Sequence, residues 1–438
     1  MNAAALSASG SSAAAPATRA RLLFINRSYW PDTEATGQLL TELCEDLAST
    51  GEFDVHVLCG QPNHVSIKGE QVDQDAVHHC GVTIHRARHL QFAKKSMAGK
   101  LLNLMSFTVA AWRTSARLPR PDIVVTETDP FFVGLLGRRL QKRLGCRFIA
   151  YLQDIYPDIA VACGKAREGF LIGRLRSALF GAYSKADRVV VLSRDMKRRC
   201  IANGVSDDRI EIIPNWSDVT ALYPVKVNNA FRKEHGLEGK VVVMYSGNMG
   251  VPHLLEPILD AAEGLAGDES VVFYFVGGGV QKETLQASAE RRRLSNVKFL
   301  PYQPKASLSQ SLSAADIQIV SVKPGVISCL MPSKVYGVLA AGCAVLGIAP
   351  PDSELGEMIV EFRFGKVCDP ASPSLCRDLV DAIQAIRELN DPSLAERGHR
   401  FVTENASRRS QVTRFHELLR SLVHSPAASF PLKTSSTR

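Results

Sequence analysis

A regular alternation of short apolar runs with segments of helical periodicity constrains the fold of this chain more than any other feature. The runs are four to six residues long and nearly continuous in Val, Ile, Leu and Phe, rather than alternating with polar residues. Such runs are typical of parallel strands that helices cover on both faces. The predicted strands are 21–26, 55–58, 122–126, 147–151 and 188–192 in a first series, and 241–245, 271–276, 297–300, 317–320 and 344–348 in a second.

The two series predict the domain organisation. A turn-rich linker around 212–217 separates them, so we expect an α/β chain with two Rossmann-like parallel-sheet domains that face each other across a cleft. The first 20 residues are rich in Ala and Ser and lack the charged start and apolar core of a signal peptide, which predicts a disordered leader. The expected divisions are a leader 1–20, a first domain 21–222, a second domain 223–406, a C-terminal helix 407–424 and a loose tail 425–438.

The charge and the cysteines limit the partners and the compartment. A net charge of +8 favours anionic partners, and ten scattered cysteines without metal-type spacing predict reduced thiols in the cytoplasm. Basic residues lie beside an apolar segment at 101–107 and along one face of a later helix, which predicts a peripheral protein on an anionic membrane surface. The alternative is a pair of core helices with a solvated rim. These residues are Lys94, Lys95, Lys100, Arg138, Arg139, Lys142 and Arg143.

The basic residues are not interleaved with stacking aromatic residues, so we expect no nucleic-acid partner. No apolar run reaches the roughly 18 residues of a membrane-spanning helix. The Asp73-Gln74-Asp75 segment lies in a polar loop and is interpreted as a solvated turn, so we expect no metal site. The chain also lacks a nucleophile elbow and a phosphate-binding Walker loop, which disfavours hydrolases and kinases.

Small and polar residues follow the strands of the second series, where backbone N–H groups can approach a diphosphate. The first such loop contains Ser246, Gly247, Asn248 and Gly250, and the next contains Gly277 and Gly278. After the third strand, Tyr302 and Gln303 are placed to contact a nucleobase edge. Each loop also fits an ordinary tight turn, and that alternative stays open.

The segment 321–357 adds charge to these loops. Ser333 and Lys334 open an apolar helix, and a helix start with Ser and Lys suits a phosphate group. Gly342 permits a tight turn from this helix into the next strand. Glu354 follows that strand and is placed to reach a sugar hydroxyl. We therefore predict a nucleotide-sugar site in the second domain.

The first domain offers candidates for the opposite side of the cleft. Thr36 and Gly37 follow the first strand at the start of a helix, but this loop is not the G-x-G-x-x-G pattern of nicotinamide-binding proteins. Asp154 ends a strand and could bind or polarise an acceptor hydroxyl. Asp158 is predicted to cap the following helix.

Three motifs in this order carry a resemblance to a known family: Asn215-Trp216-Ser217, Tyr245-Ser246-Gly247-Asn248 and Pro332-Ser333-Lys334. Over residues 20–424 the chain resembles the retaining family-four glycosyltransferases of GT-B fold, in the bacterial exopolysaccharide branch of the colanic-acid fucosyltransferase type. The resemblance implies a cytosolic, metal-independent hexosyltransferase-type enzyme of exopolysaccharide or O-antigen synthesis. Its donor would be a GDP- or UDP-linked sugar, and its acceptor an oligosaccharide on a polyprenyl diphosphate.

The same resemblance implies roles for particular residues. Lys334 would neutralise the leaving diphosphate, the loop from Ser246 to Gly250 would face the phosphates, and Gly37 and Asp154 would line the acceptor side. The transfer would retain the anomeric configuration, with the departing phosphate helping to remove the acceptor proton.

The sequence departs from the family pattern at three places. Cys329 and Gly337 occupy the positions of a glutamate pair, and 251–253, which ends in His253, stands where many members carry a basic residue. Glu354 would then hold the ribose, and Lys334, helped by Lys323, would carry most of the leaving-group charge. A nucleotide-sugar 2-epimerase and a non-catalytic scaffold homologue are the alternative functions.

Overall fold

The computed structural model describes residues 19–32, 34–62, 76–90 and 97–424, and these residues form two parallel-sheet domains. The predictions for the leader up to residue 18, for the tail 425–438, for Asp73-Gln74-Asp75 and for Lys94 and Lys95 lie outside the described residues. So does the side chain of Lys100. Among the described helices, none is long and apolar enough to cross a membrane.

The sheet of the first domain has eight strands in the order β3-β4-β2-β1-β5-β6-β7-β8. All neighbouring pairs are parallel except β3 and β4, which form an antiparallel hairpin. The strands are β1 (Ala20–Ile25), β2 (Phe53–Cys59), β3 (Ala76–His79), β4 (Val82–Arg86), β5 (Ile123–Thr126), β6 (Arg147–Tyr151), β7 (Arg188–Val191) and β8 (Ile210–Ile212).

The sheet of the second domain has six strands in the order β11-β10-β9-β12-β13-β14, all parallel. The order reverses between β9 and β12, and ligands of such sheets bind at the carboxyl ends near this reversal. The strands are β9 (Val241–Ser246), β10 (Val271–Val276), β11 (Val297–Leu300), β12 (Ile317–Ser321), β13 (Ala344–Ile348) and β14 (Gly365–Cys368).

The apolar runs predicted both sheets, but four strands were missed. The β3–β4 hairpin contains three histidines, and β14 contains Gly365 and Lys366, so neither is an apolar run. The third miss, β8, corrects the expectation that a turn-rich linker begins at residue 212. Ile210–Ile212 instead pairs with β7 at the edge of the first sheet. These strands form because a neighbouring strand already offers its hydrogen-bonding edge, which periodicity does not record.

The described helices cover both faces of the sheets. They are α1 (Ala35–Ser49), α2 (Met97–Ser115), α3 (Val133–Leu144), α4 (Asp158–Ala162), α5 (Phe170–Tyr183), α6 (Arg194–Ala202), α7 (Ala230–Glu234), α8 (Glu256–Gly264), α9 (Lys282–Arg291), α10 (Leu308–Ser313), α11 (Lys334–Ala340), α12 (Glu354–Glu361), α13 (Leu375–Leu389), α14 (Leu394–Asn405) and α15 (Arg408–His424). In the first domain α2, α3 and α5 lie side by side, with α3 in the middle.

The C-terminal helix α15 returns to the first domain. Its Phe415 ring contacts the rings of Phe24 and Tyr151, with centroids 6.5 Å and 5.2 Å apart. At the start of the helix, Arg408 makes two hydrogen bonds to the carboxylate of Asp46 in α1. The helix thereby ties the end of the chain to the sheet on which the chain began.

Contacts between the domains close one side of the cleft. The N–H of Ile155 in the first domain donates to the carbonyl oxygen of Cys329 in the second, at 2.8 Å. The guanidinium of Arg194 in the first domain donates to the carboxylate of Glu357 in the second, at 2.8 Å. These contacts hold the carboxyl ends of both sheets toward a common cleft.

Candidate functional site

A polar cavity of about 200 Å³ lies at the carboxyl ends of β1, β5 and β6 in the first domain. It contains Thr36 and Asp154, two of the residues predicted for the acceptor side. Carboxylates and amides dominate its wall, so it suits a ligand with several hydroxyl groups. The lining residues are Asn26, Arg27, Glu34, Thr36, Glu127, Thr128, Asp129, Gln153, Asp154 and Tyr156.

Asp154 lies in the loop after β6, which ends at Tyr151, and sits in the cavity wall. Burial raises the pKa of its carboxyl to about 6, and the nearby charge of Asp129 adds to this effect. The backbone N–H of Asp154 donates to Thr128 Oγ1 at 3.2 Å, which fixes the loop. A carboxylate with a pKa close to the working pH is suited to accept a hydrogen bond, or transiently a proton, from a hydroxyl group.

The cavity also contains Glu127, a buried acid that the sequence analysis missed. Its residue is only 3% exposed, and burial, followed by the charges of Asp129 and Asp154, raises its pKa well above the usual range. Gln153 Nε2 donates to Glu127 Oε1 at 3.4 Å, and Asn215 Nδ2 donates to Gln153 Oε1 at 3.0 Å. Glu127 follows β5 at the same sheet edge as Asp154, and this position was the signal that could have found it.

Gly37 has a structural explanation in this arrangement. It is buried in the first turn of α1, and a Cβ atom there would lie 2.6 Å from Ser28 Oγ. The absence of a side chain thus lets α1 pack against the loop that follows β1. The prediction that Gly37 itself meets the acceptor is not tested by this contact.

The prediction that Asp158 caps the following helix is wrong. Asp158 is the first residue of α4 and makes no side-chain cap; Pro157 occupies the cap position. Its carboxylate instead pairs with Arg176, at 2.9 Å, and with Arg199. These arginines belong to α5 and α6, so Asp158 joins three helices of the first domain.

Across the cleft, Lys334 places a buried cation at the start of α11. Its Nζ lies 3.5 Å from the centre of the Tyr245 ring and next to Gly247, and it has no hydrogen-bond acceptor among the described residues. Part of the stem is exposed, but burial of the ammonium lowers its pKa to about 7. A buried ammonium without a counter-ion is costly, so this environment is suited to an incoming anion.

The helix start at Ser333 and Lys334 was predicted to bind phosphate, and the structure assigns this property to a different group. The helix α11 has only seven residues, and the side chain of Ser333 does not cap it. The ammonium of Lys334 is therefore the feature that attracts an anion, rather than the helix start. Gly342 ends the turn after α11 with a φ of 69°, in the left-handed region that the turn requires.

The loops after β9 and β10 cross each other closely. Gly277 has a φ of 134°, and a Cβ atom there would lie 2.1 Å from the carbonyl oxygen of Gly247. At Gly278 the corresponding distance to the Tyr302 ring is 3.1 Å. Small residues are thus required for the two loops to meet, and the half-buried Gly247 lies beside the Lys334 ammonium.

The remaining predicted donor residues occupy the rim of these loops. Asn248 is exposed, while Gly250 is buried and its carbonyl oxygen accepts a hydrogen bond from Gln281. Ser246 is the last residue of β9 and is half-buried. Tyr302 is 60% exposed, and Gln303 beside it bonds only to the carbonyl of Pro301 among the described residues. A flat aromatic ring at this rim is suited to contact a nucleobase.

Two of the three departures from the family pattern, at His253 and Cys329, have physical explanations. His253 Nδ1 contacts the carbonyl oxygen of Ser321 at 2.6 Å; burial, and then the charge of Lys334, lowers the His253 pKa to about 4. The imidazole is therefore neutral at pH 7 and does not replace a basic residue. Cys329 is fully buried at the domain contact, near Asp154 and Asp158, where a glutamate would add a third carboxylate.

Glu354 lies at the other end of the domain contact. Its carboxylate accepts a hydrogen bond from the backbone N–H of Arg194, and its own N–H donates to Asp195 Oδ2 at 2.9 Å. Glu354 thus satisfies the backbone N–H at the start of α6 in the first domain, and Asp195 satisfies the backbone N–H at the start of α12 in the second. Ribose binding by Glu354 stays a prediction, and it would require the carboxylate to leave Arg194.

One group of possible metal ligands occurs among the described residues. Glu45, His79 and Cys80 place their ligand atoms within 4.8 Å of one another. They belong to α1 and the β3–β4 hairpin, and Glu45 and His79 already contact each other at 3.2 Å. They do not line the cavity described above, and independence from metal ions stays a prediction.

Two facing α/β domains, each built on a parallel sheet, have the architecture of the GT-B glycosyltransferases. Residues 35–216 match the family described as "Glycosyl transferase 4-like domain", a range that includes Thr36, Glu127 and Asp154. The family match and the relatives described below support a family-four glycosyltransferase of GT-B fold that acts in polysaccharide or lipopolysaccharide biosynthesis.

The relatives agree with this assignment. The chain is 28% identical over 361 residues to the putative colanic acid biosynthesis glycosyl transferase WcaI of Escherichia coli K12, covering 80% of this chain and 88% of that one. It is also 28% identical to the probable glycosyltransferase WbjE of Pseudomonas aeruginosa, covering 71% and 77%. The fold matches that of Anabaena Alr3699/HepE in complex with UDP-glucose, with a TM-score of 0.66, 16% identity and coverage of 92% and 99%.

Proposed function

We propose that this protein transfers a sugar, with retention, from a UDP- or GDP-linked donor to an oligosaccharide on a polyprenyl diphosphate, in exopolysaccharide or O-antigen synthesis. The observation that carries the donor side is the buried ammonium of Lys334. An anion at this position removes the cost of burying the charge, and a nucleoside diphosphate supplies that anion together with a base. The exposed Tyr302 ring would contact the base.

The donor diphosphate would lie over the loops that cross at Gly247 and Gly277, within reach of Lys334. During transfer, negative charge develops on the leaving diphosphate while the anomeric carbon becomes cationic. Lys334 would stabilise that charge, and this kind of preorganised stabilisation often supplies several orders of magnitude in rate. Ser246, Asn248 and the neighbouring backbone N–H groups would add hydrogen bonds to the same phosphates.

The acceptor sugar would occupy the cavity at the ends of β1, β5 and β6. Asp154 would accept a hydrogen bond from the attacking hydroxyl group and so orient it, while Thr36 would bind a neighbouring hydroxyl. In retaining transfer the hydroxyl enters on the face from which the diphosphate departs. Its proton would then pass to the departing phosphate oxygen, and no covalent sugar–enzyme intermediate is needed.

The membrane-linked acceptor requires the protein to work at a membrane surface. On α3, Arg139, Lys142 and Arg143 are exposed, whereas Arg138 folds back onto Gln141. The Arg139 guanidinium also lies 4.4 Å from the centre of the Trp112 ring on α2, so the two helices form one basic and apolar face. We propose that this face adsorbs to anionic lipid on the cytoplasmic side.

Calorimetric titration with UDP and GDP tests the donor site directly. We expect one of the two nucleotides to bind at micromolar to millimolar concentration, and Lys334→Met to weaken that binding by roughly 10- to 150-fold, the value of one charge-assisted hydrogen bond. Lys298→Met, which removes an exposed lysine from β11 of the same domain, is the matched control and should bind like the wild type.

A second measurement tests transfer. A radiolabelled donor of the preferred base should give a labelled polyprenyl-diphosphate oligosaccharide, and NMR of the product should show the anomeric configuration of the donor. Binding of neither nucleotide at millimolar concentration would overturn the donor assignment. Conversion of the nucleotide sugar to an epimer, without a labelled lipid, would establish the epimerase alternative instead.

A further inference from the structure

Two adjacent apolar side chains stand out of the surface at the beginning of α5. Phe170 is 77% exposed and Leu171 is 80% exposed, which places both among the most exposed large apolar residues described. Single exposed apolar residues are ordinary, but a neighbouring Phe and Leu at one helix end form a local apolar projection. Gly169 precedes them without capping the helix through a side chain.

Basic residues surround this projection. Lys165, Arg167 and Arg174 are exposed, and the Arg174 guanidinium lies 5.7 Å from the centre of the Phe170 ring. The nearby acid, Glu168, is neutralised by an ion pair with Arg176. An apolar tip that exposed cations flank in the chain complements a surface with negative headgroups above an apolar interior.

The helix that carries the projection, α5, packs beside α3 of the basic face. A Cβ atom at Gly134 of α3 would lie 2.7 Å from the Tyr183 ring of α5, so these helices pack very closely. On α2, an exposed apolar stripe follows helical spacing and leads to the cation–ring contact with α3. The stripe consists of Leu101, Met105, Val109 and Trp112, with Leu102 beside it.

The same segment also lies beside the cleft. The Ala162 Cβ, at the end of α4, is 3.9 Å from the position of a Cβ at Gly325 in the second domain. Burial raises the pKa of the Cys163 thiol, and the nearby charge of Lys323 in the second domain partly opposes this shift. The α4–α5 connection therefore runs from the cavity wall, past the second domain, to the exposed tip.

We propose that Phe170 and Leu171 insert into the interfacial layer of an anionic phospholipid bilayer and anchor the first domain next to the cleft. This inference rests on the proposed function, because a lipid-linked acceptor stays in the bilayer and the cleft must be held close to it. The basic face of α2 and α3 supplies the electrostatic attraction, and the Phe170–Leu171 tip supplies the apolar insertion.

Sedimentation with sucrose-loaded vesicles of 70% phosphatidylcholine and 30% phosphatidylglycerol tests the anchor. Phe170→Ser combined with Leu171→Ser should lower the partition coefficient by roughly 10- to 100-fold, as the loss of two inserted apolar side chains implies. The matched control is Val227→Ser combined with Leu389→Ser, which removes two apolar residues of 79% and 68% exposure from the second domain. This control should bind vesicles like the wild type.

Depth is measured with a Phe170→Trp variant in vesicles containing brominated acyl chains, against Leu389→Trp. We expect quenching of the tryptophan at position 170 and none of the added signal at position 389. Unchanged sedimentation of the serine variant, or an unquenched tryptophan at 170 in bound protein, would overturn the proposal and indicate a protein partner at this tip. UDP and GDP titration of the same variants reports the donor site separately, so a failed anchor is distinguished from a failed donor assignment.

Discussion

Replacing Lys334 with Met should have opposite effects on stability and on nucleotide binding. Methionine keeps the length of the apolar stem beside the Tyr245 ring, but it removes the buried charge. Burial lowers the pKa of Lys334 from 10.5 to about 7. At about 1.4 kcal/mol for each tenfold change, the charged lysine destabilises the folded protein by about 5 kcal/mol. The cation–ring contact offsets about 1–2 kcal/mol of this cost, so we expect Lys334→Met to stabilise the free protein by about 3 kcal/mol at pH 7.

The pH dependence follows from the direction of the shift. The folded protein has the lower pKa, so unfolding takes up a proton between pH 7 and 10.5. The destabilisation is complete below pH 7, declines as the pH rises and vanishes above 10.5. Urea unfolding of wild type and variant at pH 6.5, 8 and 9.5 should therefore show a stability difference that shrinks with pH. The exposed-lysine control, Lys298→Met, should change stability by less than about 0.5 kcal/mol at each pH.

Lys334→Met should weaken nucleotide binding although it stabilises the free protein. A bound diphosphate restores the charge of Lys334, so binding above pH 7 takes up a proton and the affinity falls by up to about tenfold per pH unit. Titration at pH 8 in two buffers of different ionisation enthalpy measures that proton. Equal stability of wild type and Lys334→Met at pH 6.5, or undiminished nucleotide affinity in the variant, would refute the assignment of Lys334 as a stored counter-charge.

Three other substitutions test the site. Gly277→Ala should lower the free energy of unfolding in urea by about 2–4 kcal/mol, because its Cβ would clash with the Gly247 carbonyl at a positive φ. The control Gly267→Ala has open space around the new Cβ and should not destabilise the protein in this way. Equal effects of the two substitutions would contradict this reasoning. Asp154→Asn should lower transfer at least 100-fold and abolish the acidic limb of the rate profile near pH 6, where the wild-type carboxylate becomes protonated; a retained limb would assign it to another group. Glu127→Gln should be more stable than the wild type at pH 8, and this advantage should decline toward pH 4. The reason is that the folded acid has a raised pKa, so its contribution to stability falls with rising pH by up to about 1.4 kcal/mol per pH unit. Thermal melts of the two proteins that stay parallel across this range would show that the buried acid does not titrate.

Sequence and structure agree best where a long apolar pattern left few alternatives. Continuous runs such as Val271–Val276 can be covered only inside a parallel sheet, so both domains were predicted before their contacts were known. The donor loops could be predicted from the same runs, because glycines such as Gly247 and Gly277 directly follow these strands. Short or polar strands such as Ile210–Ile212 escaped prediction, because their pairing depends on a neighbouring edge that is remote in sequence.

For the candidate site too, some properties follow from the sequence and others only from the tertiary structure. The sequence by itself determined the two sheets, the loops at their carboxyl ends and the presence of Lys334 and Asp154 in those loops, because strand period and turn chemistry are local properties. Only the tertiary structure decided what these groups became. It buried the Lys334 ammonium against Tyr245, joined Glu127 to Asn215 through Gln153, and engaged Glu354 with Arg194 of the other domain. Burial and pairing are set by residues that are distant in the chain, and they fix the charge that each group carries.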